Sequence, residues 1–123
     1  MDKIKRLGDA ELEIMQIIWA RPKPMTSNEI LKKLKQRQWK LSTLMTALNR
    51  LAEKEYLVCD RTTRTNFYSA LISEDSYKEH ENKLFLEKLY GSSLQNFVAC
   101  LCDSNSISKK DVAELRDYLK NFT

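Results

Sequence analysis

Ser42, Thr43, Thr46, Asn49 and Arg50 are the residues of this chain whose types and spacing best suit recognition chemistry. Leu44, Leu48 and Leu51 recur among them at helical spacing, with Ala47 alongside. One helix would bury the leucines and leave the polar set largely off that stripe. Small hydroxyl and amide side chains let a helix approach base edges, and an arginine can reach a base or a phosphate. Taken alone, the same residues fit a plain amphipathic surface helix equally well.

Covalent and metal chemistry have little to work with. The single histidine, His80, lies in the polar run Lys78-Glu79-His80-Glu81-Asn82, where adjacent side chains do not face one another on a helix. It reads as a solvated surface residue. Cys100 and Cys102 are one residue apart and no second pair follows, whereas metal sites usually need three or four ligands. They read as buried interface cysteines. Two glycines cannot build a phosphate loop, and no Ser-His-Asp set can be assembled. The sequence therefore predicts no enzymatic activity, no metal site and no cofactor.

The elements around the polar helix give it context. Leu12, Met15, Ile18 and Trp19, widened by Ile14 and Ile17, predict a first helix that starts near Gly8 or Asp9 and stops before Arg21-Pro22-Lys23-Pro24. Thr26 with Glu29 three residues on predicts a capping box for a second helix, buried through Ile30, Leu31 and Leu34. Beyond the third helix, Tyr56-Leu57-Val58-Cys59 reads as a strand, Arg61 to Thr65 as a basic turn, and Asn66 to Leu71 as the returning strand. Helix, helix, strand, turn, strand is the order of a winged helix-turn-helix that enters a DNA major groove. Trp19 falls on the apolar face of the first helix. Trp39 fits either packing against the turn or a place beside a DNA backbone.

From Ser73 onward the pattern is helical again. Ser73 can cap a helix rich in apolar residues (Tyr77, Leu84, Phe85, Leu86, Leu89, Tyr90) that Gly91 breaks. Leu94, Phe97, Val98 and Leu101 mark a second helix. Ser108 with Asp111 caps a third, which carries Val112, Leu115 and Leu119. Three short helices cannot enclose a core alone, and a second copy of the segment is the simplest cover. The predicted architecture is mostly α with a small β hairpin: a winged helix-turn-helix over 1–72 and a helical dimerisation segment over 73–123.

Charge supports the division. Residues 1–71 carry 14 Lys/Arg against 8 Asp/Glu, and residues 72–123 carry 7 against 9. A basic first part attracts phosphate backbone, and salt weakens that attraction. With 123 residues and 42% apolar content the core is small, which favours dimerisation. An odd, sparse cysteine set fits a reducing, cytoplasmic setting. No apolar run approaches the ~20 residues of a membrane span, and no signal peptide pattern is present.

The chain resembles the penicillinase repressor family, the small bacterial repressors of beta-lactamase and methicillin-resistance genes. The resemblance rests on Leu7-Gly8-Asp9-Ala10-Glu11-Leu12-Glu13-Ile14-Met15 with Ile17-Ile18-Trp19, on Thr46-Ala47-Leu48-Asn49-Arg50-Leu51-Ala52-Glu53-Lys54, and on a wing ending in Phe67-Tyr68-Ser69. It implies a homodimer that binds a double-stranded DNA operator of inverted-repeat form. It implies a recognition helix over Ser42–Lys54 with Thr43, Met45, Thr46 and Arg50 facing DNA, Lys40 and Ser42 at its N-terminal end, and Arg61 and Arg64 on phosphates. The dimer interface would take Leu84, Phe85, Leu89, Leu94, Phe97, Val98, Leu101, Leu115 and Leu119.

The resemblance also implies relief of repression by proteolysis between Asn96 and Phe97, through a membrane-bound beta-lactam sensor protease. The repressor itself would not insert into the membrane. Three positions depart from the family pattern. Met45 stands where members often have a basic residue, Lys40 where they often have Ser, and Gly8 where Ser or Thr usually caps the first helix. Ser42 or Thr43 is the expected replacement cap for the third helix, and Glu11 keeps half of the first capping box. Two other readings stay open: a metal- or redox-responsive repressor like those of copper-transport genes, acting through Cys100 and Cys102, and a winged helix that binds protein.

Overall fold

The computed structural model describes residues 4–34 and 37–122. The outer limits of the two expected domains, Met1 and Thr123, lie outside the described residues. The chain forms two compact units, Met1–His80 and Glu81–Thr123.

The first unit holds α1 (Asp9–Trp19), α2 (Ser27–Lys33), α3 (Leu41–Glu53), β1 (Leu57–Asp60), β2 (Phe67–Ala70) and the start of α4 (Glu74–Tyr90). Both expected N-terminal caps form. Glu11 bonds the Gly8 amide at 3.2 Å, the half box that glycine leaves available. Thr26 and Glu29 make the full reciprocal box, with the Thr26 hydroxyl accepting from the Glu29 amide and the Glu29 carboxylate accepting from the Thr26 amide. The strands pair antiparallel with Leu57 opposite Ala70 and Cys59 opposite Tyr68. The first is shifted by one residue from the sequence pattern, and the second is shorter than it. Tyr56 is not in β1, because it closes the end of α3: its amide bonds Leu51 O at 2.9 Å, the Glu55 amide bonds Ala52 O at 3.0 Å, and Glu55 takes φ 65°. Those two bonds and the left-handed residue make a Schellman motif, with Tyr56 packed back toward the buried Leu51.

The core contains Ile14, Met15 and Ile18 of α1, Ile30 of α2, Leu44, Leu48 and Leu51 of α3, and Tyr56, Leu57 and Tyr68 of the hairpin. Burying such side chains stabilises by about 1.5–3 kcal/mol each. Tyr77 of α4 joins it. Its hydroxyl accepts the Leu7 amide at 3.2 Å, and its ring stacks near Trp19 and Tyr56 at 5.7 and 5.9 Å. Trp19 donates its indole N–H to Ile72 O at 2.8 Å. These contacts carry the first unit to His80, past the expected limit at Ile72.

In the second unit α4 ends at Gly91, which has φ 54°, and α5 (Leu94–Asp103) and α6 (Lys109–Lys120) follow. Ser73, Ser93 and Ser108 cap the three helices through their hydroxyls. No residue of α5 or α6 is fully buried.

Candidate nucleic-acid interface

Helical geometry sorts the residues of α3. A rotation of about 100° per residue puts Leu44, Leu48 and Leu51 on one side, all fully buried. Ser42, Thr43, Thr46, Asn49 and Arg50 are exposed on the other. Thr46 donates its hydroxyl to Ser42 O at 3.1 Å, which leaves its lone pairs and methyl for a ligand. Met45 sits at the edge of the buried stripe. It is half-buried against the core, with its sulfur 3.9 Å from the Tyr68 hydroxyl, so it is placed less openly than its polar neighbours. Leu41, which the sequence reading passed over, is exposed in the first turn. Its spacing of three from Leu44 is the signal that hides it, because that spacing looks like core.

The start of α3 differs from expectation. Lys40 is the N-cap, extended at φ −79° and ψ 157°, and it makes no side-chain cap bond. Ser42 and Thr43 lie inside the helix, so neither replaces the missing cap. Lys40 O already accepts from the Thr43 and Leu44 amides at 3.1 and 3.2 Å, which starts the helix two residues earlier. A helix N-terminus without a side-chain cap carries partial positive charge, and Lys40 beside it is exposed.

The hairpin tip, Arg61 to Thr65, is exposed throughout. Its shape comes from Asp60, whose carboxylate accepts from the Thr62 amide at 2.9 Å and the Thr62 hydroxyl at 2.7 Å. Those bonds, the amide first, hold the Asp60 pKa below its ordinary value. Thr63 closes the turn by donating to Thr65 O at 2.8 Å. The Cys59 side chain beside Arg61 raises the guanidinium pKa, by hydrogen bonding first. Arg61 and Arg64 are thus presented on a braced turn.

Ion pairs fix α3 to the rest of the unit. Lys54 Nζ donates to both Glu11 carboxylate oxygens at 3.0 and 2.9 Å, joining the end of α3 to the start of α1. Burial pushes the Glu11 carboxyl up. The Lys54 hydrogen bond, the Gly8 amide and the charges of Lys54 and Arg50 outweigh it, and the pKa falls below the ordinary value. Arg37 pairs with Glu13 at 2.5 Å and lies over the Trp39 ring at 5.8 Å. Trp39 is half-buried against the core, which selects the packing role of its two readings.

Elsewhere one expectation changes. His80 is half-buried, not a solvated surface residue, and its Nδ1 is shielded from solvent with no hydrogen-bond partner among the described residues. Cys100 and Cys102 are exposed on α5 in the single chain, where a second copy could cover them. A Cys100 hydrogen bond raises the Tyr90 hydroxyl pKa. Among the described residues no three His, Cys, Asp or Glu side chains are grouped to hold a metal ion, and no helix is long and apolar enough to cross a membrane. Asn96 is exposed in the first turn of α5. Phe97 is half-buried, its ring 5.6 Å from Phe85 and 5.3 Å from Tyr90.

A trihelical core, a two-strand wing and an exposed polar face on the third helix define a winged helix-turn-helix protein. The chain belongs to the penicillinase repressor family, whose sequence profile matches residues 7–121. It is 33% identical over 123 residues to a penicillinase repressor of Staphylococcus aureus, covering 99% of this chain and 97% of that one. It is 28% identical to the methicillin resistance regulatory protein MecI of Mammaliicoccus sciuri, covering 96% of each. Among solved structures it is similar to the monomeric form of the repressor BlaI of Bacillus licheniformis in complex with the blaP half-operator. That likeness has a TM-score of 0.51 and 36% identity, over 63% of this chain and 94% of that one. The family is one of DNA-binding transcriptional repressors.

Proposed function

We propose that this protein is a dimeric transcriptional repressor that occupies an inverted-repeat operator, of beta-lactamase or resistance genes, and blocks transcription there. The observation that carries the reading is the exposed polar face of α3 beside a braced basic wing. Ser42, Thr43, Thr46 and Arg50 face the major groove, with Met45 at the edge of that surface. Lys40, Arg61 and Arg64 hold phosphates. Half-sites related by a twofold axis match a dimer. That a relative 36% identical is solved in complex with a half-operator supports duplex binding.

The second unit supports the dimer. Phe85, Leu89, Leu94, Leu115 and Leu119 are exposed apolar residues, and Leu84, Phe97, Val98 and Leu101 are only half-buried. A second copy removes this surface from water. Cleavage between Asn96 and Phe97 would cut α5 and dismantle that interface, which separates the half-site readers and relieves repression. The sensing partner is a membrane-bound protease that answers beta-lactams, and the setting is the cytoplasm.

Footprinting of the upstream region of the protein's own gene tests the reading. The expected result is protection of two symmetric half-sites by the intact protein and loss of protection after cleavage at Asn96–Phe97. Uniform or absent protection by the intact protein contradicts it.

A further inference from the structure

The first turns of α3 are uncharged where a reading helix meets bases. Residues 41–49 carry no Lys, Arg, Asp or Glu. Leu41 and Met45 are four apart in α3, so they lie one above the other on a single ridge. Leu41 is 41% exposed and Met45 is half-buried. The ridge runs along the flank of the buried Leu44, Leu48 and Leu51 stripe and continues to exposed Asn49. Ser42 and Thr46, both exposed, form the neighbouring row.

This chemistry excludes one kind of base contact and favours another. Guanine O6 and N7 are read by an arginine or a lysine, and residues 41–49 offer neither. Thymine presents a C5 methyl group in the same groove, and apolar side chains pack on it. Asn49 suits the N6 and N7 edge of adenine. Thr46 spends its hydroxyl proton on Ser42 O at 3.1 Å, which leaves its methyl group and lone pairs. A helix-turn-helix sets the N-terminal residues of its second helix against base edges, so Leu41 and Met45 fall where sequence is read. Tyr68 donates its hydroxyl to the Met45 sulfur at 3.9 Å. That contact restrains a flexible side chain and lowers the rotamer entropy it loses on binding.

We propose that Leu41 and Met45 are specificity-determining residues that pack on thymine C5 methyl groups in the major groove, so that the first turns of α3 favour A·T pairs of the operator. The proposal rests on the repressor reading above and names what that helix reads. A protein partner would also cover an exposed leucine. The ridge is continuous with exposed Ser42, Thr46 and Asn49, which favours the duplex.

The test takes full-length wild type, Leu41→Ala and Met45→Ala, titrated by fluorescence anisotropy onto three duplexes. One is the upstream duplex of the protein's own gene. The second is that duplex with every thymine replaced by deoxyuridine, which removes the C5 methyl and keeps the base pairing. The third is scrambled. Met45 packs against the core, so a melting temperature checks its variant, and Leu41→Ala, an exposed site, decides the matter if Met45→Ala melts early. Wild type should lose about fourfold in affinity for each packed methyl that deoxyuridine removes. Each folded variant should bind the thymine duplex more weakly and show a smaller deoxyuridine penalty than wild type. An equal penalty in wild type and the variants overturns the proposal, because the methyls are then read elsewhere. A preference for the natural duplex over the scrambled one that deoxyuridine leaves undiminished also overturns it, with the repressor reading intact. A wild type with no preference for its upstream duplex removes the repressor reading and the proposal together.

Discussion

Met25 and Tyr68 exchange two backbone hydrogen bonds, Met25 N to Tyr68 O at 2.9 Å and Tyr68 N to Met25 O at 2.7 Å. This one antiparallel bridge ties the segment between α1 and α2 to the second wing strand. Tyr68 then reaches across to the Met45 sulfur in α3. The wing is therefore held to the reading helix through the buried Tyr68. Met25 is fully buried, so Met25→Ala should cost about 2–5 kcal/mol of stability. Urea unfolding measures that loss, and a cost under half the lower figure would mean that the bridge holds without the side chain.

Glu55 is an exposed non-glycine residue at φ 65°, the left-handed region, where an L side chain crowds its own backbone. Glu55→Gly should relieve about 1 kcal/mol of that strain and raise the melting temperature. A fall in melting temperature would show that the Glu55 side chain contributes more than its backbone costs.

Acid should weaken the first unit through Glu29. Its pKa is lowered from 4.5 to about 2, first by the Thr26 amide and then by Arg21. The folded value lies below the unfolded one, so the stabilisation is complete above pH 4.5 and is lost as pH falls toward 2. Glu29→Gln should therefore flatten the fall of the urea midpoint across that window. Parallel curves for variant and wild type would remove Glu29 as the source.

The Asn96–Phe97 bond lies inside a capped helical turn, with the Asn96 amide donating to Ser93 Oγ at 3.1 Å and the Phe97 amide to Ser93 O at 3.2 Å. Ser93→Ala should cost the start of α5 about 1 kcal/mol. Hydrogen exchange at the Asn96 and Phe97 amides should quicken about fivefold, if local opening limits it. Unchanged exchange would place the protection of this bond in packing around Phe97 and not in the cap.

The helices were legible because each carries its own local pattern. Leu44, Leu48 and Leu51 mark a stripe, and Thr26 with Glu29 or Ser108 with Asp111 mark starts, all within a few residues of sequence. The misread features depend on partners far along the chain or on a local backbone conformation that residue type does not reveal. Tyr56 looks like a strand residue by type, yet its amide serves the end of α3. Met45 looks exposed until Tyr68 arrives from the wing. Tyr77 reads as part of a separate segment until Leu7 and Trp19 surround it. Ser42 and Thr43 have the chemistry of caps, but the extended backbone at Lys40 starts the helix before them. In the candidate interface, the polar residues of α3 were visible from spacing. The Glu11–Lys54 pair at the end of the helix and the Glu13–Arg37 pair in the segment before it were not, since nothing local joins residues so far apart.

Arg50 offers the most direct test of the account, because it is the exposed cationic residue of the reading helix. We would compare wild type and Arg50→Ala by fluorescence anisotropy on the upstream duplex and on a scrambled duplex, at two salt concentrations. The account predicts that wild type prefers the natural duplex and that the variant loses about 1–3 kcal/mol there. It predicts a much smaller loss on the scrambled duplex. Equal affinity of wild type for both duplexes, with no effect of the substitution on either, would contradict it.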